Sequence, residues 1–174
     1  MRLHPKNKYT FLIVVFCCLN MQCKKEREID KLPDATTTGN GAFGCLINGR
    51  AWPVYEKGNQ NYFLFYHAGR LDIAYTVYAI DGSDYERIVI SSDKVKKPGI
   101  YWIKNDDDNF FTISYRHELY LSNSDINLDS YLYLNISCLD SLQRIVSGTF
   151  SFSLYNYWGT KKISVDEGRF DLRY

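Results

Sequence analysis

The sequence lacks a surplus of charge of either sign, and it lacks a hydrophobic run long enough to cross a membrane as a helix. Its 174 residues carry 21 Lys and Arg against 20 Asp and Glu, so it shows no basic excess of the kind found in nucleic-acid-binding proteins. The longest apolar run, Phe11 to Leu19, has nine residues, whereas a spanning helix needs about 20. The composition therefore argues against a nucleic-acid partner and against a transmembrane helix.

Motifs of enzymes, cofactor sites and metal sites are also missing. The sequence contains no GxSxG motif, no glycine-rich phosphate loop and no paired-carboxylate signature. Beyond the N-terminal region the histidines are His67 and His117, and neither has a second histidine or a cysteine at metal-ligand spacing. We therefore predict no catalytic residues, no metal site and no cofactor, although a triad assembled from distant strands would leave no local trace.

Two acidic stretches have the composition of calcium ligands. One runs from Asn105 to Asn109 and contains three consecutive aspartates, and the other places Asp125, Asn127 and Asp129 at alternate positions. Carboxylate and amide oxygens suit calcium, but Asp and Asn also satisfy the backbone in the connections between strands. We interpret both stretches as turns.

The N-terminal region is typical of an exported lipoprotein. Arg2, Lys6 and Lys8 precede the apolar run, as in a secretory signal, and Cys23 stands where a lipoprotein carries its lipidated cysteine. Gln22 departs from the small residue usual at that place, and the alternative is an apolar N-terminus that is uncleaved or cleaved elsewhere. We expect a lipoprotein signal peptide over residues 1–22, lipidation at Cys23, and a lipid-anchored location at the outer membrane or cell surface.

Residues 23–41 connect this region to the folded part. The stretch KKEREIDKLPDATTTGNGA has few large apolar residues and cannot bury enough surface to fold alone. We predict a flexible tether over residues 23–41 and one domain over residues 42–174, since a chain of this length supports one well-buried core.

From residue 42 onward, apolar residues alternate with polar ones. The alternation is clearest from Gly148 to Tyr174, which we interpret as a hairpin and a separate last strand that begins after Glu167-Gly168. Asn48-Gly49 predicts a two-residue hairpin turn near the front. No strand is predicted over residues 116–130. Because strand-like runs recur with short turns and no helical period, we predict an all-β fold, a single antiparallel β-sandwich or barrel-like domain of about ten strands.

The predicted domain contains two cysteines, Cys45 and Cys138, both on the apolar faces of their strands. Cysteine pairs in exported proteins tend to bond, and closing so long a loop would stabilise the fold by roughly 4–5 kcal/mol. Two separate buried thiols fit the sequence equally well, because sequence does not give the distance between the two Cα atoms. Both alternatives stay open at this point.

Aromatic residues are abundant, with 15 Tyr, 10 Phe and 3 Trp. Most are explained by cross-strand packing, since aromatic side chains favour sheets. Tyr131, Tyr133 and Tyr155 lie on rows that are predicted to face outward, and cross-strand packing is the alternative explanation for them as well. These three are our candidates for stacking on a glycan or on an envelope protein.

Segments at the two ends of the predicted domain resemble a known family. FGCLINGRAW near the front, with SGTFSFSLYN and GRFDLRY at the end, is similar to an uncharacterised lipoprotein family of Bacteroidetes, a domain of unknown function. The resemblance covers both ends of the domain and hardly touches residues 55–130. It implies a lipid-anchored, β-rich envelope protein, and it supplies no catalytic residues.

Together these patterns favour a lipid-anchored envelope protein that is a non-enzymatic binding or surface-structural module. The expected partners are the membrane, through the N-terminal lipid, and a glycan or an envelope protein. The alternative is an enzyme or enzyme inhibitor with a site in residues 55–130. A deep polar cleft that holds His67 or His117 beside a carboxylate would favour the alternative, and a flat aromatic surface would favour binding.

Overall fold

The computed structural model describes residues 26–53, 59–81, 84–104, 106, 108–122, 127 and 129–174. The predicted signal peptide and Cys23 lie outside these ranges. Within these ranges, a short 3-10 helix, Glu28–Lys31, is followed by eleven strands. They are β1 Ala42–Ile47, β2 Arg50–Trp52, β3 Gln60–His67, β4 Arg70–Tyr78, β5 Tyr85–Ser92, β6 Gly99–Lys104, β7 Phe110–Tyr115, β8 Glu118–Leu121, β9 Tyr131–Asp140, β10 Ile145–Tyr155 and β11 Lys162–Arg173.

The strands form two antiparallel sheets, which confirms the all-β prediction. The six-stranded sheet has the order β2-β1-β11-β10-β9-β6, and the five-stranded sheet has the order β3-β4-β5-β7-β8. The sheets stay separate and pack face to face, so the domain is a sandwich and not a closed barrel. None of the helices in the described ranges has the length and hydropathy that crossing a membrane requires.

Two-residue turns join several of the hairpins. Asn48 and Gly49 connect β1 to β2 with φ angles of 49° and 76°, the positive values that such a turn needs. The prediction from Asn48-Gly49 is therefore confirmed. Ala68 and Gly69 connect β3 to β4 in the same way, with φ angles of 49° and 95°.

The core lies between the sheets and contains the inward rows of both. Phe43 on β1 stacks on Tyr75 on β4, with ring centroids 4.3 Å apart. Phe111 on β7 meets Phe152 on β10 at 5.2 Å. Each fully buried side chain of this size stabilises the fold by about 1.5–3 kcal/mol, so these contacts fix the two sheets against each other.

The last strand differs from its prediction. Residues 162–173 form one continuous strand, β11, and not a hairpin limb followed by a separate strand. Between the pairs Phe150–Gly168 and Phe152–Val165, β11 has two residues where β10 has one, and Glu167 has a φ of 52°. The interruption at Glu167-Gly168 is therefore a β-bulge, which shifts the alternation without ending the strand.

The described part of the N-terminal segment, residues 26–41, contacts the domain. Residues 36–40 surround the carboxylate of Asp171 with hydrogen bonds, and Leu32 is buried. The backbone N–H of Ala51 donates to Glu28 Oε2 at 3.0 Å. The polar composition prevents this segment from folding alone, but polar groups of the domain hold residues 28–41 against it.

Candidate functional site

Among the described residues, the N-terminal segment covers one end of the outward face of the six-stranded sheet. Pro33 lies so close to Gly44 that a Cβ there would meet the proline ring at 2.7 Å, and Arg169 Nη1 donates to the Pro33 carbonyl at 3.2 Å. The N-terminal segment thus covers β1. The outward rows of β6, β9, β10 and β11 carry exposed aromatic and polar side chains.

A shallow depression of about 360 Å³ crosses these four strands, and we call it the aromatic groove. It is lined by Trp102, Asp129, Ser130, Tyr131, Tyr133, Ser151, Phe152, Ser153, Tyr155, Lys162 and Asp166. A second depression of about 220 Å³ shares Tyr133 and Ser151 with it and continues past Thr149 to Arg169. The two form one elongated surface along the sheet.

The aromatic rings of the groove are exposed to solvent. Trp102 is 69% exposed, Tyr131 48% and Tyr155 40%. Trp102 lies opposite Tyr133 on the neighbouring strand, and the two ring centroids are 5.1 Å apart at an interplanar angle of 64°. Edge-to-face contact of this kind holds the indole in place while most of its surface remains available to a ligand.

Two lysines lie beside the tyrosine rings. Lys104 Nζ is 5.9 Å from the ring centroid of Tyr131, and Lys162 Nζ is 5.7 Å from that of Tyr155. Both distances are within cation–π range, and such a contact contributes roughly 0.5–1 kcal/mol at an exposed site. The lysines therefore help to fix the rings and also bring ammonium donors to the rim of the groove.

Between the rings, the groove presents hydroxyl and carboxylate groups. Ser151 and Ser153 on β10 lie beside Asp166 on β11, whose carboxylate accepts a hydrogen bond from Ser164. Asp129 lies 3.4 Å from Lys104 at one end. The groove thus combines flat apolar rings with both donors and acceptors and carries no strong charge of one sign.

All three tyrosines that were candidates from the sequence line the groove. Tyr131 and Tyr133 come from β9 and Tyr155 from β10. Trp102 was not among the candidate residues predicted from the sequence. Its outward position was visible in the alternation of GIYWIK, where Ile103 is buried and Trp102 exposed, but its neighbour Tyr133 is set by the β6–β9 register, which sequence does not show.

Neither histidine of the domain lies in a deep polar cleft. His67 is exposed on β3, 6.5 Å from the ring of Phe65. His117 Nδ1 is 3.3 Å from Asp84 Oδ2, but the histidine side chain is 80% exposed. Asp84 lines a separate cavity of about 440 Å³ together with Trp52, Tyr78 and Tyr85, and His117 does not. In the part of residues 55–130 that the structure describes, the two histidines therefore do not share a cleft with a carboxylate.

The two cysteines are separate thiols and not a disulfide. Cys45 lies on β1 and Cys138 on β9, with β11 and β10 between them. Three strand spacings amount to about 14 Å, which is far beyond the 4.4–6.8 Å between the Cα atoms of a disulfide. Burial raises the pKa of the Cys45 thiol and keeps it protonated.

The acidic stretches lie in connections between strands, and several of their polar groups bond within the chain. Asp106 Oδ1 accepts from the side chain of Asn109 at 2.6 Å and from the backbone of Asp108 at 3.1 Å, while Oδ2 accepts from Lys94 at 3.0 Å. The side-chain bonds from Asn109 and Lys94 lower the pKa of Asp106 to about 2. Asn127 binds the backbone of Tyr155 through both its oxygen and its nitrogen. Asp107 and Asp125 lie outside the described residues.

Among the described residues, no group of three or more His, Cys, Asp and Glu side chains is placed to hold a metal ion. Comparison of the chain with protein-family models, with curated proteins and with solved structures finds no match.

Proposed function

We propose that this protein is a non-enzymatic binding module whose aromatic groove takes a glycan. The observation that carries the proposal is the set of exposed rings, Trp102, Tyr131 and Tyr155, arranged along one sheet face with serine hydroxyls between them. Burial in the core does not explain these rings, because they lie on the outward rows of their strands.

The chemistry of the groove matches that of a sugar chain. A pyranose ring has an apolar C–H face that packs on an aromatic ring, and its hydroxyl edge both donates and accepts hydrogen bonds. Ser151, Ser153 and Asp166 lie within the same depression as the rings. An elongated, open surface also suits a polymer that enters from the side, whereas a small substrate needs an enclosing pocket.

A fluorescence titration with short oligosaccharides of several series, selected on a glycan array, tests this proposal. Trp102→Ala should weaken binding about tenfold or more, because loss of a central aromatic contact costs about 1.4–2 kcal/mol or more. The matched control is Trp158→Ala. Trp158 is 75% exposed and lies in the turn after β10, outside the groove lining, so its removal should leave affinity unchanged.

Either of two results would count against the glycan. One is the absence of binding to any oligosaccharide on the array. The other is an equal loss of affinity in Trp102→Ala and Trp158→Ala, which would place the ligand elsewhere. Capture of an envelope protein by the wild-type chain, lost in Trp102→Ala, would instead assign the groove to a protein partner.

The same proposal includes a lipid anchor on Cys23 at the outer membrane or cell surface. Its support is the order of the N-terminal sequence, with basic residues, an apolar run and then a cysteine followed by Lys24 and Lys25. The domain itself begins within about 20 residues of that cysteine, so the groove would lie close to the membrane surface.

Detergent-phase partitioning of the chain from its native host tests the anchor. Cys23→Ala should move the protein to the aqueous phase, because stable attachment depends on the acyl chains. Cys18→Ala, which alters a cysteine of the preceding apolar run, should remain with the detergent. If both variants partition like the wild type, the anchor is not at Cys23.

A further inference from the structure

The two sheets of the sandwich have four edge strands, β2, β6, β3 and β8. An exposed edge offers unpaired N–H and C=O groups to any other strand, and proteins usually block edges with short strands, proline or charge. The four edges of this domain differ in whether they carry these features, and that difference points to an interaction surface.

Three of the four edges carry at least one of these features. The edge strand β2 has three residues, is followed by Pro53, and its Ala51 N–H is taken by Glu28. The edge strand β8 has four residues and bridges to Asn156 in the turn after β10. Pro98 precedes β6, and the charged Lys104 ends it.

The fourth edge, β3, carries none of these features. Its eight residues, QNYFLFYH, contain no proline and no Lys, Arg, Asp or Glu. Phe63 is 59% exposed and Phe65 44% exposed on its outward row. A long, uncharged, aromatic edge strand is the kind that pairs with another chain.

The hydrogen-bonding groups on the free side of β3 follow from its ladder with β4. Tyr78 N–H donates to the Asn59 carbonyl at 2.9 Å, and the register continues in phase from there to His67 opposite Arg70. Since bonded pairs alternate along an antiparallel ladder, the odd-numbered residues of β3 bond to β4. The backbone groups of Gln60, Tyr62, Leu64 and Tyr66 therefore point to the free edge.

The sequence of this edge reads the same in both directions, Tyr62-Phe63-Leu64-Phe65-Tyr66. We propose that β3 pairs antiparallel with β3 of a second copy of this chain, about a two-fold axis at Leu64. Leu64 then lies opposite Leu64 of the second copy, and Phe63 lies opposite Phe65 in both directions. A two-fold interface must be self-complementary, and a palindromic, uncharged strand meets that condition without opposing like charges.

The pairing also gives the exposed phenylalanines a partner. The Leu64 pair is a hydrogen-bonded pair, so each Phe63–Phe65 pair is a non-hydrogen-bonded one, in which the side chains come closest. Two such pairs of phenylalanine rings would then pack against each other on the outward face of the sheet. The two five-stranded sheets would then form one ten-stranded sheet.

Charged substitutions on both sides of the two-fold axis test the proposal. The full chain is kept in mild detergent, and native mass spectrometry measures how many chains each particle contains. The wild type should be a dimer. The double variants Phe63→Lys/Phe65→Lys and Phe63→Glu/Phe65→Glu should each be monomers, because like charges face each other at both pairs. An equimolar mixture should restore a dimer that contains one chain of each, because opposite charges then face each other.

Two further variants separate pairing from folding. Tyr62→Pro removes an N–H that points to the free edge and not to β4, so it should give a monomer that melts near the wild-type temperature. Leu119→Lys places a charge at a residue that is 49% exposed on β8, at the opposite edge of the same sheet, and it should remain a dimer.

Several outcomes would overturn the proposal. They are a wild-type chain that is monomeric, lysine and glutamate variants that remain dimers, and folded variants that fail to pair when mixed. Dissociation by Leu119→Lys but not by Tyr62→Pro would place the interface at β8. A monomeric wild type that adds an extended peptide at β3 would assign the edge to another protein.

Discussion

At the scale of single residues, Asp171 attaches the N-terminal segment to the domain. Its buried carboxylate accepts hydrogen bonds from the side chains of Thr36, Thr38 and Ser147 and from the backbone N–H groups of Thr38, Gly39 and Asn40. Burial disfavours the charge, but these bonds outweigh it and lower the pKa of Asp171 to about 2. The hydrogen bonds to this carboxylate therefore order residues 36–40, a polar segment with few apolar side chains to bury.

Asp171→Asn should destabilise the protein in a pH-dependent way. The folded pKa of about 2 lies below the unfolded value near 3.9, so the ionised group stabilises the fold above about pH 4, and this stabilisation is lost as pH falls through about 2. At pH 7 the loss of free energy of unfolding should be about 2.5 kcal/mol. Urea titrations of wild type and variant between acid and neutral pH measure it.

The matched control for that measurement is Asp129→Asn, since the Asp129 side chain is 99% exposed. It should change stability little at any pH. A loss in Asp171→Asn that stays the same from neutral to acid pH would mean that the substitution acts through packing and not through the charge.

At the scale of strands, the alternation of apolar residues predicted most of the fold. The rows of β10 follow directly from it, because a strand with one buried face must alternate. The turn at Asn48-Gly49 follows from the positive φ angles that this dipeptide readily adopts. The bulge at Glu167 was misread as a break, since one extra residue shifts the period just as a loop between two strands does. Only the pairing with both neighbours of β11 distinguishes the two.

The strand β8 was missed for a different reason. It has four residues, too few to show a period, and the turn before it consists of Arg116 and His117, with φ angles of 52° and 64°. Positive φ is uncommon for residues other than glycine, and Arg116-His117 is not one of the glycine-containing dipeptides that signal a two-residue turn, so the sequence carries no clear turn signal there. Its position is fixed by contacts, including a short ion pair from Lys161 to Glu118.

The groove shows the same limit for a functional site. Each of its tyrosines could be assigned to an outward row from sequence, and all three were. That they share one surface with Trp102 depends on the order β11-β10-β9-β6, which joins strands separated by up to about 60 residues. Sequence gives the face on which each residue lies, while the neighbouring strands depend on long-range pairing.

At the scale of the whole molecule, the groove and the free edge belong to different sheets. The groove lies on the outward face of the six-stranded sheet, and β3 is an edge of the five-stranded one. The two-fold axis that pairs β3 with its copy is perpendicular to the ten-stranded sheet. Both six-stranded sheets therefore lie on the same side of that ten-stranded sheet. The two grooves of the proposed dimer would then face in the same direction.

This arrangement predicts bivalent binding to a glycan polymer, and it rests on both proposals above. On a surface coated with polysaccharide, the wild-type chain should bind on the order of a hundredfold more tightly than the monomeric Tyr62→Pro variant, because the second groove binds at high effective concentration. A short oligosaccharide in solution, which reaches one groove only, should bind both proteins equally. Surface plasmon resonance and calorimetry measure the two affinities. If the two proteins have equal affinity for the polymer while the wild type is a dimer, the two grooves do not act together. If they differ in affinity for the short oligosaccharide, Tyr62→Pro disturbs the groove itself.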